Sequence, residues 1–102
     1  MPIVYVINKA AHDFSQAERF GELCYLTDKP VNRYATNKMF RTFADVMELS
    51  GPEDYILVTS LSVMNIIAAA IFVQKHKKLN LLIHKTETNT YVERRLDFSN
   101  LT

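Results

Sequence analysis

The chain is poor in the residues that the commonest phosphate cradles and covalent staples require. Two glycines in 102 residues are too few for a glycine-rich loop that wraps a phosphate with backbone amides. No G-x-G-x-x-G, Walker A, H-E-x-x-H or G-x-S-x-G pattern occurs, so the dinucleotide, nucleoside triphosphatase, metalloprotease and hydrolase readings lack a motif. An anion site must therefore use helix N–H groups and side chains. The single cysteine, Cys24, excludes an intramolecular disulfide, and within Leu23-Cys24-Tyr25-Leu26 it reads as a small buried hydrophobe in a strand. His12, His76 and His84 have no close spacing of the H-x-x-x-H kind, so neither a metal nor a cofactor is expected.

Charge of one sign is missing too. Twelve Lys and Arg against eleven Asp and Glu leave a net charge of +1, with no broad field to gather nucleic acid or anionic lipid. Arg94-Arg95, Arg33-Tyr34 and the run Lys75-His76-Lys77-Lys78 read as solvated faces, the last complementing the dipole at a helix C-terminus. Nucleic acid is not an expected partner. No apolar stretch approaches the roughly 20 residues that span a bilayer, and no basic-then-apolar leader opens the chain. The expected location is a cytosol, bacterial or host, with no membrane partner. Three prolines and a hydrophobic fraction of 48% exclude disordered and collagen-like classes, and the length gives one domain over 1–102 with a modest core.

What is present is organised around 55–83. Tyr55-Ile56-Leu57-Val58-Thr59 is an apolar run of β-formers after the breaker cluster Ser50-Gly51-Pro52-Glu53-Asp54, which predicts a buried strand. Ser60 and Ser62 offer caps for a helix over 63–77, whose first part carries Asn65 among otherwise apolar side chains. Leu79 to Ile83 is the next strand, and this order implies a right-handed βαβ crossover between parallel strands. A helix apolar on nearly every side must be covered on nearly every side. In so small a domain this points to a homodimer seam holding Met64, Ile71 or Phe72.

Before this unit, Ile3-Val4-Tyr5-Val6-Ile7 reads as a central strand buried on both faces. Asp13 or Ser15 caps a short helix through Phe20, with Gly21 in the C′ position. A strand over 23–27 follows, either parallel through a compressed crossover or antiparallel. Thr36 caps an amphipathic helix over 37–49, with Met39, Phe40, Phe43, Ala44, Val46 and Met47 on one face. At the end, 79–85 and 89–98 form a hairpin. Tyr91, Glu93, Arg95 and Asp97 share one side of its last strand; Val92, Leu96 and Phe98 share the other, with Arg94 the exception, so one face is expected to be solvated. Together these elements give an α/β fold: a mixed five-stranded sheet, two main helices plus a short one, a βαβ core and a C-terminal antiparallel hairpin.

Ligands of open α/β sheets bind outside the carboxyl ends of the parallel strands. That rim would carry Asn8, Lys9 and His12 after the first strand, Thr59, Ser60, Ser62 and Asn65 after the middle one, and His84 after the third. Hydroxyls, amides, a lysine and histidines around a helix N-terminus suit a phosphate-bearing small molecule such as a nucleotide. A catalytic version would cleave a phosphodiester, with His12 as general acid or base and Lys9 or the helix N-terminus stabilising charge. The structural alternative makes Ser62 a plain cap and Asn65 a partner of loop backbone groups. Binding without catalysis is the preferred reading.

Over Tyr5-Val6-Ile7-Asn8-Lys9-Ala10, His12-Asp13-Phe14-Ser15 and Tyr55-Ile56-Leu57-Val58-Thr59-Ser60-Leu61, the chain resembles small accessory proteins of tailed bacteriophages. The resemblance implies action on the host: a counter-defence factor that sequesters or cleaves a nucleotide signal or, alternatively, an inhibitor that covers a host protein. The first strand ending in Asn8 is also similar to that of small viral ring nucleases, which degrade cyclic oligoadenylate. The rest departs from those enzymes in helix order, and no catalytic residue carries over.

Overall fold

The apolar runs become five strands of one sheet: β1 Ile3–Val6, β2 Glu22–Tyr25, β3 Tyr55–Leu57, β4 Lys78–Lys85 and β5 Thr90–Asp97, in the order β2-β1-β3-β4-β5. The structure is a computed structural model that describes residues 1–9, 13–27 and 32–99. The first four strands are parallel, and β5 returns antiparallel to β4. Two α-helices, α1 Thr36–Val46 and α2 Ser62–His76, and a 3-10 helix at Ser15–Phe20 make the connections. This is the expected mixed α/β architecture. The orientation left open for β2 is parallel, because the short 3-10 helix is enough to carry the chain back beside β1.

The two faces of the sheet are covered unequally. On one, Tyr5, Ile7, Leu26 and Ile56 pack with Met39, Phe43 and Met47 from α1 and its C-terminal turn, and with Met64, Ala68, Ile71 and Phe72 of α2. On the other, Val4, Val6, Tyr55, Leu57, Leu82 and Tyr91 meet Phe14 and Ala17 from the 3-10 segment. β1 lies between them, with Val4, Val6 and Ile7 fully buried. Met64, Ile71 and Phe72 are thus core residues of the protomer, not a seam; α2 leaves Ile66, 67% exposed, and Val63 in water.

Several termini differ from expectation. Neither helix has a side-chain N-cap bond: Ala35 precedes α1 and Leu61 precedes α2, so Thr36 and Ser62 are first helical residues and Ser60 lies outside. Lys75 does not simply face water. Its Nζ donates to the carbonyls of Met47 and Glu48, satisfying acceptors at the end of α1 and tying the two helices together. His76 shares a 2.8 Å hydrogen bond with Ser50 Oγ, and burial followed by the nearby Lys75 holds its pKa below the ordinary histidine value. Gly21 is extended rather than left-handed. Its reason is space: a Cβ there would sit 2.2 Å from the Pro2 carbonyl oxygen, just where Glu22 N–H pairs with that oxygen at 3.1 Å.

Polar side chains hold the N-terminal ends of the strands. The buried Asp54 accepts from Ile3 N–H at 2.9 Å and Gly51 N–H at 2.8 Å. The fully buried Asn80 donates to the carbonyls of Pro52 and Asp54, both at 2.8 Å. Beside it Tyr55 Oη donates to Glu93 Oε2 at 2.7 Å and accepts from Arg95 Nη2 at 2.9 Å, while Arg95 Nε pairs with Glu93 Oε2 at 2.7 Å. The Tyr55 hydrogen bond, with Arg95 adding to it, draws the Glu93 pKa down. This face of β5 is therefore a wired surface and not a freely solvated one, and the apolar side is the more open, with Leu96 47% exposed.

Two outcomes follow. Gly21→Ala should cost about 1–3 kcal/mol, read as a lower urea midpoint with an unchanged m-value, because the clash is with backbone. Burial, then Asp54, pushes the Tyr5 hydroxyl up to about 12, so the native state holds this proton more tightly than the unfolded chain. Stability should fall as pH rises from the ordinary tyrosine range toward that value, and Tyr5→Phe should flatten that part of an alkaline unfolding profile.

Candidate functional site

The strand order fixes where a crevice opens. From β1 the chain moves outward to β2 across one face; from β2 and β3 it moves the other way, with α1 and α2 on the opposite face. The reversal falls between β1 and β3, the position at which connections diverge and open α/β sheets bind ligands. A cleft of about 470 Å³ lies there, on the side of the 3-10 helix. Asn8 lines it after β1, Leu57 and 58–61 line it after β3, Asp13 and Phe14 form the wall before the 3-10 helix, and His84, Asn89 and Tyr91 come from the hairpin.

Four of the eight residues expected at the rim are brought together: Asn8, Thr59, Ser60 and His84. Lys9 lies outside the cleft; its backbone N–H donates to Thr27 O at 2.9 Å and its ammonium stands 5.8 Å from the Tyr25 ring centre. Ser62, exposed in the first turn of α2, does not line it either. His12 falls outside the described residues.

Asn65 is an architectural residue. Its Nδ2 donates to Thr59 O at 2.6 Å and its Oδ1 accepts from Thr59 N–H at 3.3 Å. Thr59 Oγ1 in turn accepts from Leu61 N–H at 3.2 Å. Together these bonds satisfy backbone groups of the turn from β3 into α2, outside the helix itself. The alternative weighed for Asn65 is the one that holds, and the effect is to shape the cleft's lip.

Sequence reading missed Asp13, Phe14, Asn89 and Tyr91. Asp13, expected as a helix cap, accepts from Ser15 N–H through Oδ1 at 2.9 Å. The Ser15 side chain and backbone lower its pKa, so it is ionised at neutral pH. Tyr91 was assigned to a solvated strand face; it is buried under the 3-10 segment, and burial, then Asp13, raises its pKa. His84 Nε2 shares a 3.0 Å hydrogen bond with Asn89 Oδ1, and its ring centre lies 5.3 Å from that of Tyr91. Asn89 adopts a positive φ of 51° in the hairpin turn, which asparagine tolerates well. The local signal was there: a polar turn containing an asparagine beside a strand-end histidine.

The cleft lining thus combines the Asp13 carboxylate, the hydroxyl and amide groups of Asn8, Thr59, Ser60 and Asn89, the turn at Ser60 and Leu61 that leads into α2, and the rings of Tyr91 and His84, tilted 55° to each other. Among the described residues no group of three or more His, Cys, Asp or Glu comes together as metal ligands would, and no helix is long and apolar enough to cross a membrane.

Fold and cleft define a small α/β domain with a strand-reversal crevice, built without a glycine loop. Within that class the chain matches the family described as Phage Pam3 gp32-like protein over residues 2–98. It belongs to this bacteriophage family. No curated protein and no solved structure matches it.

Exchanging the two polar residues at the α2 entrance separates architecture from decoration. Asn65→Ala should cost about 1–3 kcal/mol, since it strands the Thr59 backbone groups, whereas Ser62→Ala should change stability by under about 0.5 kcal/mol. Both are read by chemical denaturation.

Proposed function

We propose that the protein binds a phosphate-bearing small molecule of nucleotide size in the cleft between β1, β3 and the hairpin, and acts by sequestering it. The observation that carries this reading is the cleft at the strand-order reversal, with hydroxyl, amide and aromatic groups converging on it. Two parts of its lining favour opposite chemistry. An anion is favoured near Ser60 and Leu61, which lead into α2 and bring the cleft beside the positive end of the helix dipole. An anion is disfavoured beside Asp13, whose carboxylate instead accepts hydrogen bonds from hydroxyl or amino groups. A nucleotide carries both: the phosphate goes to the helix, the sugar or base amino groups go to Asp13, and the base lies along Tyr91 and His84.

Binding is preferred to cleavage because His84 is hydrogen-bonded to Asn89 rather than oriented by a carboxylate, which leaves the described cleft residues without an aligned acid–base pair. In a bacteriophage protein working in the host cytoplasm, such binding would remove a host nucleotide signal, a counter-defence role.

The test is a thermal-shift and calorimetric screen of the purified protein against mono-, di- and cyclic nucleotides. A saturable rise in Tm is expected, since the ligand is held by the native state alone. Ser60→Asp should weaken binding at least about tenfold by setting a carboxylate beside the phosphate, while inorganic phosphate alone should shift Tm less than a nucleotide. A flat response across the panel overturns the proposal; released products in the same samples would replace sequestration by catalysis.

A further inference from the structure

The outer edge of β5 is built to pair. The strand is eight residues long, contains neither proline nor glycine, and keeps an unbroken one-to-one register with β4. Its outward backbone groups can be identified from its inward ones. Phe98 N–H donates to Lys77 O on the inner side, and Val58 N–H donates to Leu82 O, which turns Leu82 toward β3 and its neighbours Leu81 and Ile83 toward β5. Antiparallel alternation then points the peptide groups of Tyr91, Glu93, Arg95 and Asp97 out of the sheet. One of them, the Glu93 carbonyl, accepts only a side-chain guanidinium bond, from Arg94 at 2.8 Å. The edge at β2 is shorter, at four residues. Long, regular edges without proline or a bulge template pairing with another strand.

The charge pattern of β5 selects the occupant and its register. In an antiparallel pairing of two copies, opposed residues lie on the same face, so only every second register keeps the polar face with the polar face. Centred on Arg94, Glu93 falls opposite the partner's Arg95, Arg95 opposite the partner's Glu93, and Val92 opposite the partner's Leu96. The neighbouring allowed registers set Glu93 against its own copy, or Glu93 against the partner's Asp97. Opposite charges directly across a strand pair stabilise and like charges destabilise. We infer that β5 pairs antiparallel with β5 of a second copy about a twofold axis at Arg94, joining the two sheets edge to edge. The half-exposed Leu96 then gains Val92 of the second copy as a neighbour. The pairing needs no ligand in the cleft, although Tyr91 of the cleft wall belongs to the paired strand and falls opposite Asp97 of the second copy.

The axis passes through the pairing's one repulsive contact, Arg94 against its copy, which makes the test specific. Opposed residues of this non-hydrogen-bonded kind have Cα atoms about 4.5 Å apart, within disulfide reach. Arg94→Cys should therefore form an intermolecular disulfide on mild oxidation, whereas Val92→Cys and the wild-type chain with its half-buried Cys24 should not. In sedimentation velocity the wild type should be dimeric at micromolar concentration, Arg94→Thr should dimerise several-fold more tightly, and Leu96→Glu should dissociate at least about tenfold more readily while keeping its circular dichroism. A wild type that stays monomeric at high concentration overturns the inference. So does a dimer in which Arg94→Cys fails to cross-link, because it would use another surface.

Discussion

Burial of β1 on both faces is the constraint on which the rest of the structure depends. A strand apolar on every side needs a neighbour on each edge and a layer on each face. β2 and β3 supply the edges, α1 and α2 one layer, and the 3-10 segment the other. Since β1 is interior in the sheet, with β2 on one edge and β3 on the other, the chain leaves it in one direction and later passes it in the other. The divergence creates the crevice, so the candidate site is a consequence of how the core is filled rather than an addition to it.

The thin layer has its own consequences. A short 3-10 helix cannot cover five strands, and the part of the sheet it leaves is finished with polar chemistry. Tyr55, Asn80, Glu93 and Arg95 satisfy one another across β3, β4 and β5, with Arg95 also 5.4 Å from the Tyr55 ring centre. Charged groups that stay partly in water avoid most of the desolvation penalty while still fixing the angle of β5 to the core. The same wiring holds the hairpin that carries His84, Asn89 and Tyr91, so the far wall of the cleft is positioned by side chains at the other end of the strands. The open apolar side of β5 is left to Leu96 and Ile83.

Much of this is legible in the sequence. Runs such as Ile3-Val4-Tyr5-Val6-Ile7 and Tyr55-Ile56-Leu57 read as buried strands, and of the helical face expected from Met39, Phe40, Phe43, Ala44, Val46 and Met47, the structure buries Met39, Phe43 and Met47, packs Ala44 partly against them and leaves Phe40 and Val46 exposed. Four of the eight rim residues line one cleft, because strand ends are predictable from strand runs. The failures share a cause. Ser62, Thr36 and Gly21 are assigned by residue preference at helix ends, yet neither α-helix has a side-chain N-cap bond, Asn65 and Thr59 instead tie the turn before α2, and Gly21 answers to the Pro2 carbonyl. Tyr91 and Asp13 are far apart in the chain and look ordinary in their own neighbourhoods.

The sequence by itself determined the class of the fold, the strand and helix runs, and the exclusion of a glycine phosphate cradle, because periodicity and composition act over a few neighbouring residues. Only the tertiary structure decided that β2 runs parallel to β1, that Met64, Ile71 and Phe72 face inward, and that Asp13 and Tyr91 meet at a cleft. These depend on which face each connection crosses. That choice is made by competition among apolar surfaces distant along the chain, and local residue pattern carries no record of it.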